Sequence, residues 1–220
     1  MSRLFVDSIT KSYNNRVILS DVFLSCEIGE VKALIGRNGC GKSTVLKIIF
    51  GVEKAESKFV KIDGKLIKST SDCKGLISYL PQKHFLPNGV RVIKIINLFL
   101  EERYREKLLS NKFIIPLLNR ASQELSGGQR RIIEILLLIH SNSKFILLDE
   151  PFNGVSPILK EYIIECIMEV KNEKGIIITD HDYENVLNIA DNIIFLKDGY
   201  LRVIKEKSQL TELGYFVRMD

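Results

Sequence analysis

Gly36-Arg37-Asn38-Gly39-Cys40-Gly41-Lys42-Ser43-Thr44 stands between the apolar run Val31 to Ile35 and the apolar-rich stretch Val45 to Phe50. That order predicts a short strand, a glycine turn and the start of a helix. Glycines let backbone N–H groups close around phosphate oxygens, and the first helical turn adds partial positive charge. Lys42 supplies a mobile ammonium for the β- and γ-phosphates, and Ser43 a hydroxyl that can ligate Mg²⁺. The spacing G-x-x-x-x-G-K-[ST] in this setting is a phosphate-binding loop, so Gly36, Arg37, Asn38, Gly39, Cys40, Gly41, Lys42, Ser43 and Thr44 are candidate contacts for the phosphates of a nucleotide.

Further along, Leu125-Ser126-Gly127-Gly128-Gln129 is followed about twenty residues later by Phe145-Ile146-Leu147-Leu148-Asp149-Glu150. With the phosphate loop, these segments resemble the ATP-binding cassette (ABC) family over nearly the whole chain. Phe145 to Leu148 reads as a buried parallel strand, which places Asp149 and Glu150 at its carboxyl end, where open α/β sheets hold their ligands. There Asp149 is expected to reach Mg²⁺, directly or through water, and Glu150 to polarise the water that attacks the γ-phosphate.

The resemblance implies roles for other positions. Tyr13 matches an aromatic that stacks on adenine. Gln82, in Tyr79-Leu80-Pro81-Gln82, matches a glutamine that touches Mg²⁺ and the attacking water and senses the membrane partner. His181, in Ile178-Thr179-Asp180-His181-Asp182, matches a histidine that contacts the γ-phosphate. Ser126, Gly127, Gly128 and Gln129 match the segment that meets the γ-phosphate held by a second copy, so the resemblance implies a head-to-tail homodimer burying two ATP molecules. The run Lys144 to Val155 with Ile178 to His181 is similar to the branch containing the lipopolysaccharide-export ATPase and the branched-chain amino-acid importers. Two departures stand out. Ser156 stands where the family usually has an aspartate, in the loop that links one active site to the other across the dimer, so the resemblance does not carry tight coupling over to this chain, while Glu150 and His181 remain to support hydrolysis. The helix after Gln129 carries Ile135-Leu136-Leu137-Leu138 where an arginine-alanine pair is common.

At 220 residues, with 45% hydrophobic and 27% charged residues, the composition suits a single α/β domain. No apolar run is long enough to span a bilayer, and Met1 to Thr10 lacks a signal-peptide core, so a cytoplasmic location is expected. The stretch at the C-terminal end is short for an added regulatory domain. Cys26, Cys40, Cys73 and Cys166 are widely spaced and read as reduced thiols. Cys40 reads as a small filler, although Lys42 and nearby amides could lower its pKa. The net charge of +5 is modest, and Lys54, Lys58, Lys61, Lys65, Lys68 and Lys74 are scattered, so no nucleic-acid partner is expected. His84 and His140 read as surface or packing residues.

The expected fold is α/β: a P-loop core with a mostly parallel sheet, an antiparallel β subdomain (about 1–30 and 52–75) and an inserted helical subdomain (about 85–125), all within one ATP-binding domain, 1–220. Val17 to Ile28 reads as an imperfectly alternating strand pair after a turn at Tyr13-Asn14-Asn15-Arg16, and Asp63-Gly64 as a hairpin turn. Helical spacing puts Val92, Ile95, Ile96, Phe99 and Leu100 on one face, interrupted at Pro116. Phe85, Leu86 and Val90 are candidates for a groove that receives a partner helix. Ile132 to Ile139 reads as a buried helix, and Pro157 to Val170 as an amphipathic one.

The function expected is ATP hydrolysis driving separate transmembrane permease subunits, with the chain peripheral on the cytoplasmic face of the membrane. The alternatives are a soluble ATPase acting on nucleic acid or ribosomes, and a weakly hydrolysing regulatory subunit, for which Ser156 is the hint.

Overall fold

The computed structural model describes residues 2–181, 183–206 and 209–210; Asp182 lies outside them. The chain runs through β1 (Arg3–Tyr13), β2 (Arg16–Glu27), β3 (Val31–Ile35), α1 (Lys42–Phe50), β4 (Ser57–Ile62), β5 (Lys65–Leu66) and β6 (Ile77–Leu80). It continues through α2 (Val92–Phe99), α3 (Glu102–Leu109), α4 (Gly127–Ile139), β7 (Phe145–Asp149), α5 (Pro157–Val170), β8 (Gly175–Thr179), α6 (Tyr183–Ile189), β9 (Asn192–Lys197) and β10 (Tyr200–Ile204).

Every residue of β7 and β8 is buried, as expected of central parallel strands covered on both faces. They sit inside a six-stranded sheet of order β10-β9-β3-β8-β7-β6, parallel except for the β10 edge. Alternation along the strands divides the core in two. Ile146, Leu148, Ile176 and Ile178 face the layer built with α4, α5 and α6. Phe145, Leu147, Ile177 and Leu34 face α1 and the four-stranded antiparallel sheet β2-β1-β4-β5. This is the expected α/β architecture.

Two-residue hairpin turns tighten the antiparallel parts. Asn14 and Asn15 both adopt left-handed φ (48° and 63°), as do Asp63 and Asp198, each of which precedes a glycine. This backbone matches the twist of the flanking strands. The expected strand pair over Val17 to Ile28 is instead one twelve-residue strand, β2, paired with β1 along its length. Its imperfect alternation comes from register shifts in that pairing, near the left-handed Ser8 and Asp21.

In the helical segment Val92, Ile95, Ile96 and Leu100 are buried as expected, but Phe99 is 54% exposed. The helix stops at Phe99 and Leu100 is extended (φ −112°, ψ 145°), so the chain turns Leu100 inward and Phe99 outward. Pro116 lies in a single 3₁₀ turn, Ile115–Leu117. Leu86 belongs to the core and Phe85 and Val90 pack against it, so these groove candidates face largely inward. α4 is buried over most of its length, and α5 buries Ile163, Cys166, Ile167 and Val170.

Gly175 opens β8 where nothing larger fits. A Cβ there would lie 2.6 Å from the Phe145 ring and 2.8 Å from the Glu27 carbonyl oxygen. Gly175→Ala is expected to lower stability by about 1–3 kcal/mol through overpacking, measured by urea unfolding. His140 ends α4 buried, stacked on Tyr104 with ring centroids 5.3 Å apart, and burial pulls its pKa down to about 4. The unfolded chain binds that proton near the ordinary value of about 6.5, so this group should weaken the fold as pH falls from about 6.5 towards 4. His140→Phe should flatten that part of a stability-versus-pH curve.

Candidate nucleotide site

Strand order brings the site together. β3, β8, β7 and β6 are successive neighbours running in one direction, so the segments leaving their carboxyl ends converge. The segment after β3 is the phosphate loop. Gly36 is required at its start: a Cβ would lie 2.6 Å from the Leu196 carbonyl oxygen and 2.7 Å from Cys40 Sγ. Gly41 caps α1, whose first residue, Lys42, is 6% exposed and donates from Nζ to the carbonyl oxygens of Gly36 (2.8 Å) and Arg37 (3.2 Å). The ammonium is thereby held over the loop.

One hydrogen-bonded network joins the remaining catalytic candidates. Ser43 Oγ donates to Asp149 Oδ1 at 2.9 Å, and Gln82 Nε2 donates both to Ser43 Oγ at 2.9 Å and to Glu150 Oε1 at 2.8 Å. His181 Nε2 lies 2.7 Å from the same Glu150 oxygen. Asp149 is fully buried and also accepts from the hydroxyls of Tyr79 and Thr179, each at 3.0 Å. Burial and the Asp149 carboxylate push the Tyr79 phenol far up, which keeps it a neutral donor.

Glu150 takes a left-handed φ of 53°, uncommon for a residue with a side chain, and its N–H donates to the Thr179 carbonyl at 2.8 Å. The neighbouring loop is fixed from the same segment, since Phe152 N–H donates to Asp180 Oδ2 at 2.8 Å. Together these bonds turn the chain out of the buried strand and hold the Glu150 carboxylate towards Gln82 and His181. Strain of this kind persists where the surroundings over-determine it, as they do here.

A cavity of about 500 Å³ lies over this network. Asn38, Gly39 and the first turn of α1 line one side, Gln82, Glu150 and His181 another, and Tyr13 and Ile18 a third. Tyr13 is 42% exposed there, available for stacking. Cys40 faces an adjoining depression with Arg16 and Asp198. Burial raises its thiol pKa against the opposing pull of Lys42, which fits the filler role rather than a reactive thiolate. All four cysteines are free thiols.

Ser126 to Gln129 are not among the residues lining this cavity. They start α4 as a reciprocal cap: Gln129 N–H donates to Ser126 Oγ at 3.2 Å, and Ser126 N–H donates to Gln129 Oε1 at 3.0 Å. Gly128 packs so closely on the loop after β7 that an added Cβ would lie 3.0 Å from the Gly154 carbonyl. Ser156, exposed at the end of that loop, begins α5 with no side-chain capping bond.

Residue types alone did not single out Arg131 and Glu134 of α4. Arg131 is 2% exposed and donates to the carbonyls of Pro81 (2.7 Å) and Gln82 (2.8 Å). Glu134 is fully buried, accepts from Phe85 N–H at 2.8 Å, and lies 3.0 Å from His84 Nδ1 and 3.5 Å from Arg131 Nη1. The helix that begins with Ser126 thus grips the segment carrying Gln82. Arg-x-x-Glu at helical i, i+3 spacing was the available signal.

The sequence profile of the family described as ABC transporter matches residues 19–153. The chain belongs to that family. It is 33% identical over 213 residues to the lipopolysaccharide export system ATP-binding protein LptB of Haemophilus influenzae, covering 90% of this chain and 88% of the relative. With LptB of Escherichia coli the identity is 31%, covering 91% and 89%. Its fold matches the ATP-binding subunit of an ABC transporter with a TM-score of 0.83 at 23% identity, over 96% of this chain and 93% of that one. A nucleotide-free ATP-binding cassette matches at 0.79 and 25% identity, covering 99% and 97%. The chain is therefore an ATP-binding, ATP-hydrolysing subunit that works with membrane subunits of an ABC transporter. Among the described residues no helix is long and apolar enough to cross a membrane.

Glu134→Ala should leave Arg131 buried without its anionic partner and the Phe85 amide without its acceptor. Stability should drop by about 3–5 kcal/mol, measured by thermal unfolding, and Glu134→Gln should recover part of it by keeping an acceptor.

Proposed function

We propose that two copies of this chain close head to tail around ATP on the cytoplasmic face of a membrane, and that closure and reopening drive separate transmembrane subunits. The observation that carries this reading is the convergence of Gln82, Glu150 and His181 beside the phosphate loop while Ser126 to Gln129 lie outside the cavity. One copy holds the phosphates with Lys42, Ser43, Thr44 and the amides of Gly36 to Gly41. The other presents Ser126, the Gly127 and Gly128 amides and the α4 N-terminus to the γ-phosphate. Tyr13 takes the adenine on its ring.

The donor set fits Mg²⁺. Ser43 Oγ and Asp149 Oδ1 are 2.9 Å apart, and the Gln82 amide reaches the same hydroxyl. Ser43 Oγ and Asp149 Oδ1 are hard oxygen ligands of the small number that Mg²⁺ takes from protein when phosphate and water complete its shell, and Gln82 would join them by turning its amide oxygen to the ion. Bound there, the ion would neutralise charge on the β- and γ-phosphates. Glu150, oriented by Gln82 and His181, accepts the proton of the attacking water. His181 then reaches the γ-phosphate, and loss of that phosphate removes the contacts that favour the closed pair.

The whole chain acts as one ATP-binding domain, with its antiparallel sheet and helical insertion as parts of it. Cargo is chosen by the membrane subunits. A weakly hydrolysing regulatory role has little to support it when Glu150, Gln82 and His181 are joined so closely, and no feature of the site favours a nucleic-acid substrate.

Glu150→Gln keeps the side chain's shape and removes the base. Turnover should fall about 10²- to 10⁴-fold with ATP affinity retained, and the variant should elute as a dimer with Mg²⁺ and ATP and as a monomer without them. A variant that turns over normally, or stays monomeric with ATP, would overturn the proposal.

A further inference from the structure

Tyr13 does not stand alone on the rim of the nucleotide cavity. Lys11, two residues before it on β1, places its Nζ 4.6 Å from the centroid of the Tyr13 ring. The same ammonium pairs with Glu53 Oε1 at 3.0 Å. Hydrogen bonding and charge from Lys11 hold the Glu53 carboxyl below the usual carboxylate range. Lys11 therefore bridges the other two side chains, its cation lying both on the Tyr13 ring and on the Glu53 carboxylate.

The set is anchored to the phosphate-binding machinery. Glu53 follows α1, and the N–H groups of Gly51, Val52 and Glu53 all donate to the Lys47 carbonyl. The end of β1 is fixed to the same stretch, because Ser12 N–H donates to both Glu56 carboxylate oxygens at 3.0 and 3.1 Å and Glu56 N–H donates to the Thr10 carbonyl. The helix whose first turn carries Lys42 and Ser43 thus leads, just past its other end, to the carboxylate that pairs with Lys11 beside Tyr13. Tyr13 lines the cavity, whereas Lys11 and Glu53 are not among its lining residues.

We propose that Lys11 and Glu53 are positioning residues for the base of the nucleotide: Glu53 anchors Lys11, whose ammonium covers one side of the Tyr13 ring and leaves the cavity side for the stacked base. The inference rests on the reading of Tyr13 as the base platform. Both a tyrosine ring and a purine present negative π faces, so direct stacking carries an electrostatic penalty. A cation behind the tyrosine draws on that negative charge and lowers the penalty. The contact with Lys11, itself anchored by Glu53, also restricts the ring before the base arrives, which reduces the ordering cost of binding. Stacking tolerates any base, so the device favours base-bearing nucleotides over bare polyphosphate without reading which purine is present.

The test uses the full chain and compares Lys11→Met with Lys11→Arg and Tyr13→Ala. For Lys11→Met, the Kd for ATP should rise about 3- to 10-fold with saturated turnover unchanged. Its affinity for inorganic tripolyphosphate, which has no base, should not move. Lys11→Arg keeps a cation that can both stack on tyrosine and pair with Glu53, and should restore ATP affinity. If Tyr13→Ala weakens ATP binding and Lys11→Met does not, Lys11 has no positioning role and the platform reading survives. If neither weakens it, the platform reading fails too. Equal weakening of ATP and tripolyphosphate by Lys11→Met would place the effect on the phosphate loop and overturn the inference.

Discussion

A carboxylate at the end of a strand with no exposed side chain must find donors, and Asp149 finds three: Ser43, Tyr79 and Thr179. An unpaired charge at that depth would be prohibitive. Meeting the requirement fixes the site, because the three donors come from the phosphate-loop helix, from β6 and from β8. The parallel order β3-β8-β7-β6 is what allows those elements to reach one carboxylate. Glu150, one residue further on, leaves the strand through a left-handed backbone and so presents its carboxylate to Gln82 and His181 rather than to the donors around Asp149.

The second dependency runs through α4. Its N-terminus carries Ser126 to Gln129, and its next turn carries Arg131 and Glu134, which hold residues 81–86 through backbone carbonyls and amides. A rotation of α4 therefore cannot leave Gln82 where it is. Since Gln82 touches both Ser43 and Glu150, the segment assigned to a second copy's ATP and the chain's own network are joined through a chain of hydrogen bonds. This arrangement gives physical content to communication between the two ends of the domain.

Much of this was legible in residue order. The phosphate loop announced itself through glycine spacing between a strand and a helix, and α1, Lys42–Phe50, begins where that spacing placed a helix start. Phe145 to Leu148 read as a buried strand because it is apolar throughout, and α5 spans the expected Pro157 to Val170. Other readings failed for definite reasons. Phe99 fell on the predicted apolar face, but the helix ends there and the backbone turns Leu100 inward in its place. The irregular pattern of β2 suggested two strands, whereas left-handed residues and register shifts accommodate it in one. Arg131 and Glu134 were not singled out at all, because nothing in local spacing records that both lie buried against the segment carrying Gln82.

Sequence alone determined the chemistry available: a loop shaped for phosphate, a strand ending in two carboxylates, and a serine-glycine-glycine helix start. Those features depend on neighbours a few residues apart, and local spacing records them. The tertiary structure alone decided which distant groups meet. Ser43 and Asp149 are 106 residues apart and their hydrogen bond follows from strand order, while the Lys11–Glu53 brace on Tyr13 follows from the path of the chain after α1. Periodicity and propensity act over a turn or a strand, but pairing across a sheet is settled by the packing of the whole core.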